Sequence, residues 1–410
     1  MVNTLLTPSV IAKEALMQLD NNLVLGNNVH REYKNEFAKV GDTVSIRKPV
    51  KFYTADGETR VNQDVEEGNT AIKIDQRKHV SWGFSSQDLT LSIEHYSERY
   101  IQPAMITLAN TMDQIGHGLY KDFWNVTGTP GVTPGTFKSL GLSAQRMDEM
   151  AVSRDSRVAM LNPAAAWSIA ADQTALYMQD KAKTAYEEAR LGRIARFNVF
   201  DSQNIQSHTV GVMGGTPLVN GAAQNVTYAV AKQSNSQTLN TDGWALSVAG
   251  VLKAGDTFTI AGVYAVNPVP GEGATGKTAM NYLQQFVVTA DATSDGAGVA
   301  ALTISPAIIT SGPYQTVSAA PADNAAITVL GAAGTAYPQN MTFHKNAIAL
   351  VSVPLEMPDG AAFKARETHG GLSVRVVKSY DIDTDKDIIR IDALFGWKTI
   401  YPELGGRITG

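Results

Sequence analysis

Gly271-Glu272-Gly273-Ala274-Thr275-Gly276-Lys277-Thr278 satisfies the phosphate-binding pattern GxxxxGK[ST] and contains a GxGxxG. In a working site the backbone N–H groups would cradle phosphates. Lys277 would reach the β and γ oxygens, and Thr278 would hold magnesium. That chemistry needs a buried strand directly before the loop and a full helix directly after it. The approach here is Asn267-Pro268-Val269-Pro270, and neither proline suits the interior of a parallel strand. The strand-like run Phe286-Val287-Val288-Thr289 follows too soon for a crossover helix. The expectation is a solvated surface loop, with a nucleotide-binding enzyme using 271–278 as the competing reading.

Asp381-Ile382-Asp383-Thr384-Asp385-Lys386-Asp387 imitates the first ligands of a calcium loop. The sixth position should be Gly and is Lys386; the twelfth should be Glu and is Asp392. A solvated hairpin tip fits better. The seven histidines, at 30, 79, 95, 117, 208, 344 and 369, form no HExxH and no metal-ligand pair on a credible helix. Each reads as a surface or helix-end residue. There is no GxSxG. Arg190, Arg193 and Arg196 read as cations at a helix end, favoured there by the helix dipole. The absence of cysteine excludes disulfide scaffolds, zinc–thiolate sites, iron–sulfur clusters and cysteine nucleophiles. No catalytic, cofactor-binding or metal-ligating residue is assigned.

The elements that would position any chemistry are more informative. Of the charged residues, 46 fall before position 202, 9 between 202 and 344, and 18 after that. A charge-poor block bounded by ordinary flanks reads as an insertion. Inside it, Thr257-Phe258-Thr259-Ile260, Phe286-Val287-Val288-Thr289, Val299-Ala300-Ala301-Leu302-Thr303-Ile304 and Ala326-Ile327-Thr328-Val329-Leu330 are strand-like. Gly-, Asn-, Asp- and Ser-rich turns separate them, as in a small barrel or sandwich. Thr7-Pro8 with Ile11, Ala15 and Leu19 predicts an N-terminal helix. Thr43-Val44-Ser45-Ile46-Arg47 and Ala71-Ile72-Lys73-Ile74 predict strands flanking a polar stretch at 53–70: a long, mostly solvated hairpin. Such a ribbon is marginal alone and needs a surface to lie on.

Ile101, Met105, Leu108, Met112, Ile115, Leu119 and Phe123 form one apolar stripe on a helix of about 25 residues. Helices are also expected from Asn162-Pro163 and over 180–190, ending near Gly192. Strands are expected at 372–377 and 388–393. The architecture is α+β, with an arm, a spine helix and a β insertion. The net charge of −5 gives no field for gripping nucleic acid or an anionic membrane. No run of about 18 apolar residues is present, so no membrane span is expected. The N-terminus has no basic region ahead of a long apolar run, so no secretory signal is expected. A soluble protein remains.

This order of parts resembles the major capsid (coat) proteins of tailed bacteriophages, in the podovirus-type subfamily whose body carries an inserted β-barrel. The likeness lies in several segments, starting with Ala38-Lys39-Val40-Gly41-Asp42-Thr43-Val44, which leads into the extended loop. Gly192-Arg193-Ile194-Ala195-Arg196-Phe197-Asn198-Val199-Phe200 ends the first half of the body. Leu252-Lys253-Ala254-Gly255-Asp256-Thr257-Phe258 and Phe286-Val287-Val288-Thr289-Ala290-Asp291 lie in the insertion. Phe343-His344-Lys345-Asn346-Ala347 returns to the body, followed by Val353-Pro354-Leu355.

The resemblance implies an N-arm over 1–40, an extended β-loop over 41–90, and a spine helix with peripheral region over 91–130. An axial-domain body would follow over 131–222, an inserted barrel over 223–340, and the rest of the body with a closing hairpin over 341–410. It implies self-assembly as pentamers and hexamers of an icosahedral shell, in the host cytoplasm, around DNA held without sequence-specific contact. A portal protein is implied as a partner. Too little chain precedes Thr43 for a long helical assembly segment, so a separate scaffolding protein is also expected. The expected subunit contacts are Lys51, Asp56, Glu58, Arg60, Asp64, Glu66 and Glu67 on the extended loop. A tail or decoration component is the other structural alternative.

Overall fold

A computed structural model describes residues 8–31, 43–85, 97–174, 191–269, 277–361, 363–383 and 386–410. The chain divides into two compact units. One combines Met1–Ser45, Ala71–Gly116 and Ile348–Lys398; the other combines Ile46–Thr70, His117–Ala347 and Thr399–Gly410.

In the first unit the helix Pro8–Asn22 buries Ile11, Ala12, Ala15, Leu16 and Leu19, the helical spacing the sequence predicts. It packs on the strands Phe363–His369 and Leu372–Asp381. The expected cap, Thr7, lies outside the described residues. The spine is helical from 97 to 122 but is not one α-helix. A π turn, Ser97–Ile101, leads into the α-helix Gln102–His117, and a 3-10 turn, Gly118–Asp122, follows. Gly116 and Gly118 weaken the α ladder at its end, and the chain tightens there. Of the predicted stripe, Ile101, Met105, Leu108, Met112 and Phe123 are buried, while Ile115 and Leu119 are half-buried. Asp113, also on this helix, accepts the backbone N–H groups of Val24, Leu25 and Gly26 at 2.7–3.2 Å. Burial nevertheless raises its pKa.

The unit's sheet runs Ile348–Ser352, Lys386–Thr399, Leu372–Asp381, Phe363–His369, with Gln76–Ser85 also paired to Lys386–Thr399. Leu372–Asp381 and Lys386–Thr399 form an antiparallel hairpin. The acidic run 381–387 is therefore a hairpin tip, of which 384 and 385 lie outside the described residues. Asp392 is buried in the sheet and takes hydrogen bonds from Arg375 (2.6 Å) and Arg390 (2.8 Å). Burial alone would raise its pKa, but the two arginines hold it below the usual carboxylate range.

Among its described residues the second unit holds two large sheets. The first is mixed and runs Val126–Thr127, Gly405–Thr409, Ala336–His344, Arg157–Leu161, Phe197–Asp201, Arg193–Ile194, with Ser207–Thr209 added beside Ala336–His344. The helices Phe137–Glu149 and Pro163–Thr174 cover its apolar side through Leu140, Met147, Ala165 and Ile169. Asn162 caps the second of these, its Oδ1 accepting the Ala165 N–H at 3.1 Å. The helix predicted over 180–190 lies outside the described residues.

The other sheet is antiparallel and runs Ile327–Val329, Thr257–Val266, Ala279–Val288, Ala300–Ser305, Gln237–Trp244, Gly215–Val219. Its two edges meet. Val219 N–H donates to Ala325 O at 3.0 Å and Asn324 N–H to Val219 O at 2.9 Å, so the sheet closes on itself. Leu239, Trp244, Phe258, Ile260, Phe286, Val288, Leu302 and Ile304 fill the interior. Its first strand begins at Gly215, ahead of the boundary expected at 223. The strand Ala336–His344 already belongs to the mixed sheet, across the boundary expected at 340.

Candidate assembly site

The seven predicted contact residues occupy one loop of the second unit. Thr43–Arg47 and Asn69–Lys73 pair as a two-stranded ribbon, and Lys48 N–H donates to Gly68 O at 2.8 Å. Beyond that point no strand ladder among the described residues holds the loop, apart from an isolated bridge at Thr54. Gln63 bridges it instead: its Oε1 accepts the Tyr53 N–H at 3.0 Å and its Nε2 donates to Tyr53 O at 2.6 Å. Lys51, Asp56, Glu58, Arg60, Asp64 and Glu67 are exposed, and Glu66 is half-buried. Glu67 faces Arg47 at 3.5 Å, an exposed pair of little energetic weight. Phe52, Val61 and Val65 also stand in solvent, Val65 at 63%. The loop thus presents both charge and apolar surface.

Lys277 corrects one expectation. It is half-buried rather than solvated. Its Nζ donates to Pro313 O at 2.9 Å and to Gln315 O at 3.2 Å. Burial, with the Lys51 charge adding to it, lowers its pKa to about 8. The strand Ala279–Val288 follows at once and pairs with Thr257–Val266, so a hairpin stands where a phosphate loop would need a helix. Positions 271–276 lie outside the described residues. Lys277 lines a cleft of about 480 Å³ with Lys48, Lys51, Lys232, Tyr228 and Tyr314.

His208 departs from expectation, because it is buried on a strand, whereas His117 is buried at a helix end, a place the sequence allows for it. His208 Nδ1 lies 3.0 Å from Tyr120 Oη, and its Nε2 lies 2.8 Å from Asp256 Oδ1. Asp256 Oδ2 accepts the N–H groups of Gly211 (3.0 Å) and Lys253 (2.7 Å). Beside this chain Arg407 is fully buried. It donates to Gly255 O at 2.9 Å, to Gln339 Oε1 at 3.3 Å and to Thr257 Oγ1. Burial lowers its pKa to about 10 and raises that of Tyr120 to about 12. The network ties the turn that opens Thr257–Val266 to three strands of the mixed sheet. His117 Nε2 lies 3.1 Å from Ser202 Oγ, and burial lowers its pKa to about 4.

Sequence reasoning missed the Tyr120–His208–Asp256 chain because its members are separated by 88 and 48 positions. The only local signal was the Gly255-Asp256-Thr257 turn ahead of an alternating strand. Arg196 follows a stretch, 175–190, that lies outside the described residues and would contain the helix end expected near it. It sits at φ +71° in the turn between Arg193–Ile194 and Phe197–Asp201 and pairs with Asp148 at 3.0 Å. Asp148 also receives Arg157 at 2.6 Å. Arg190 lies outside the described residues.

Among the described residues no group of three or more acidic or histidine side chains could hold a metal. No described helix is long and apolar enough to cross a membrane. The sequence matches the family described as P22 coat protein, gene protein 5, over residues 2–410. A major capsid protein of Acyrthosiphon pisum secondary endosymbiont phage 1 is 24% identical over 414 residues, covering 98% of this chain and 97% of that protein. A chain from the solved structure of Mycobacterium phage Che8 aligns with a TM-score of 0.50 at 12% identity, covering 94% of this chain and 90% of that one. A chain in the capsid structure of the cyanophage P-SCSP1u aligns at 0.44 and 11% identity, over 90% and 84%. The fold is the α+β fold of tailed-phage capsids. With the family match spanning all but the first residue, the chain belongs to the P22 coat protein family and is a major capsid protein of a phage.

Proposed function

We propose that this capsid protein assembles as pentamers and hexamers of an icosahedral shell around double-stranded DNA, and that the loop over 48–68 is the arm by which each subunit registers against its neighbour. The observation that carries the reading is the loop itself. It exposes six charged contact candidates and three large apolar side chains in the isolated subunit, and among the described residues no strand ladder orders it. Repeated weak contacts between identical surfaces suit a symmetric shell. Mixed exposed charges favour register and salt sensitivity over raw affinity.

The closed sheet, whose strands run from Gly215 to Val329, is read as an inserted barrel domain between the two parts of the body, in place of the bounds 223–340 expected from the sequence. A scaffolding protein and a portal are the expected assembly partners, as in the family the sequence resembles. The net charge of −5 suits a wall that encloses DNA without gripping specific sequences. No catalytic role is assigned. Lys277, the residue a nucleotide site would need, is spent on backbone carbonyls. Co-expression with the phage's scaffolding protein, followed by negative-stain microscopy, tests the proposal. Closed shells of uniform size are expected. Monomers or small rings alone would point instead to a tail or decoration component.

A further inference from the structure

Tyr314 stands where the extended loop leaves the second unit. Its Oη accepts the Lys51 N–H at 3.1 Å and donates to Glu66 O at 3.2 Å, so one hydroxyl ties together the outgoing and returning chains of the loop. Its ring stacks on Tyr228, with centroids 3.4 Å apart and planes within 2°. Tyr228 is itself pressed against the loop. A Cβ at Gly68 would lie 2.6 Å from the Tyr228 hydroxyl and 2.5 Å from Lys232 O, so only glycine allows this approach. Lys277 fixes the other side, holding the carbonyls of Pro313 and Gln315 that flank Tyr314. The Lys48–Gly68 hydrogen bond lies just below this point, and the strandless part of the loop lies just above it.

We infer that Tyr314, stacked on Tyr228 and pinned by Lys277, is a clamp that sets the angle at which the contact loop leaves the subunit and thereby positions it for shell closure. The inference rests on reading that loop as the contact arm. A clamp at the root acts with leverage. A small rotation there displaces a tip many residues away, whereas the same freedom inside the barrel would be absorbed by packing. Tyr314 and Lys277 are therefore positioning residues: they act on the neighbouring subunit only through the loop.

The test uses Tyr314→Phe, which keeps the stacked ring and removes only the hydroxyl, and Lys277→Met as a second variant. Amide exchange is followed in the full-length, unassembled subunit, and shell formation is followed with scaffold present. Losing one hydrogen bond should speed exchange of the Lys51 amide by about tenfold. Amides in the barrel core, such as that of Phe286, should keep their protection. Trypsin should cut sooner after Lys51 and Arg60, and open or misclosed particles should replace closed shells. Unchanged Lys51 exchange in both variants overturns the clamp. Faster exchange with normal shells overturns its role in assembly. A variant lacking 56–64 then separates the two ideas. If that deletion blocks closure while Tyr314→Phe does not, only the clamp fails; if it too closes shells, the contact-arm reading fails.

Discussion

His117 ends the spine helix with 1% of its surface exposed, and burial lowers its pKa from 6.5 to about 4. Between those two values the unfolded chain binds a proton that the folded chain does not. The stability contributed by neutral His117 is therefore complete above pH 6.5 and is lost as pH falls towards 4, to an extent of about 3 kcal/mol. His117→Gln should flatten that acid limb in denaturant titrations of the unassembled subunit between pH 7.5 and 4.5. An unchanged slope would assign the acid sensitivity elsewhere. Asp256 presents a different case. Asp256→Ala leaves His208 Nε2 and the N–H groups of Gly211 and Lys253 without their acceptor. Each buried group left unsatisfied costs about 1–3 kcal/mol, so a loss of at least about 3 kcal/mol is expected. A loss below about 1 kcal/mol would mean that water replaces the carboxylate freely. Neither role was legible in the sequence. Periodicity reports neighbours along an element, whereas these partners come from separate elements that only the fold brings together.

At the scale of elements the sequence was more transparent, because burial repeats with the period of the backbone. The spine stripe was legible for that reason. Its change of pitch was not, since π and 3-10 turns keep an apolar side and disturb the spacing only slightly. Met112 is fully buried on the α-helical part. Met112→Asp places a carboxylate among apolar neighbours, which costs several kcal/mol or forces protonation. The expected result is insoluble coat protein; soluble subunit with a wild-type melting curve would refute the assignment of this face. The strands of the closed sheet were read where they alternate apolar with polar. Two were missed: Gly215–Val219, which is short, holds a proline and buries only Val219, and Gln237–Trp244, where polar residues fill inward positions. Thr241 is fully buried, its Oγ1 donating to Ala300 O at 2.7 Å and accepting from Trp244 Nε1 at 2.8 Å. A polar residue with its bonds satisfied packs as well as an apolar one, and hydropathy cannot tell the two apart. Lys277 was misread for a similar reason. A lysine in a glycine-rich stretch looks solvated until the carbonyls of a segment some 36 residues away are found beside it.

For the whole molecule, the contact candidates were legible as a composition rather than as a geometry. A polar stretch with few apolar residues cannot bury a core of its own, and fixing its backbone costs about 1–2 kcal/mol per residue. The structure sharpens where that cost falls. Residues up to Lys51 and from Glu66 onward are held by the ribbon and by Tyr314, whereas 56–64 contain no strand or helix. Removing 56–64 and joining the ends through a Gly-Ser pair should therefore leave the far-UV spectrum and the melting curve of the subunit unchanged. It removes Asp56, Glu58, Arg60, Asp64 and the exposed Val61 from the surface offered to a neighbour. Mixed with scaffold, the shortened protein should sediment as monomers or small aggregates. Raising the salt should weaken assembly of the intact protein in the same direction, because exposed pairs are screened beyond about 8–10 Å at moderate ionic strength and sooner at high salt. The two arms check one another. Loss of closure on deletion with no salt dependence would assign the contact to the exposed Val61 rather than to the charges. Normal shells from the shortened chain would make the loop an ordinary surface feature and would move the search for the registering contact to the remainder of the subunit.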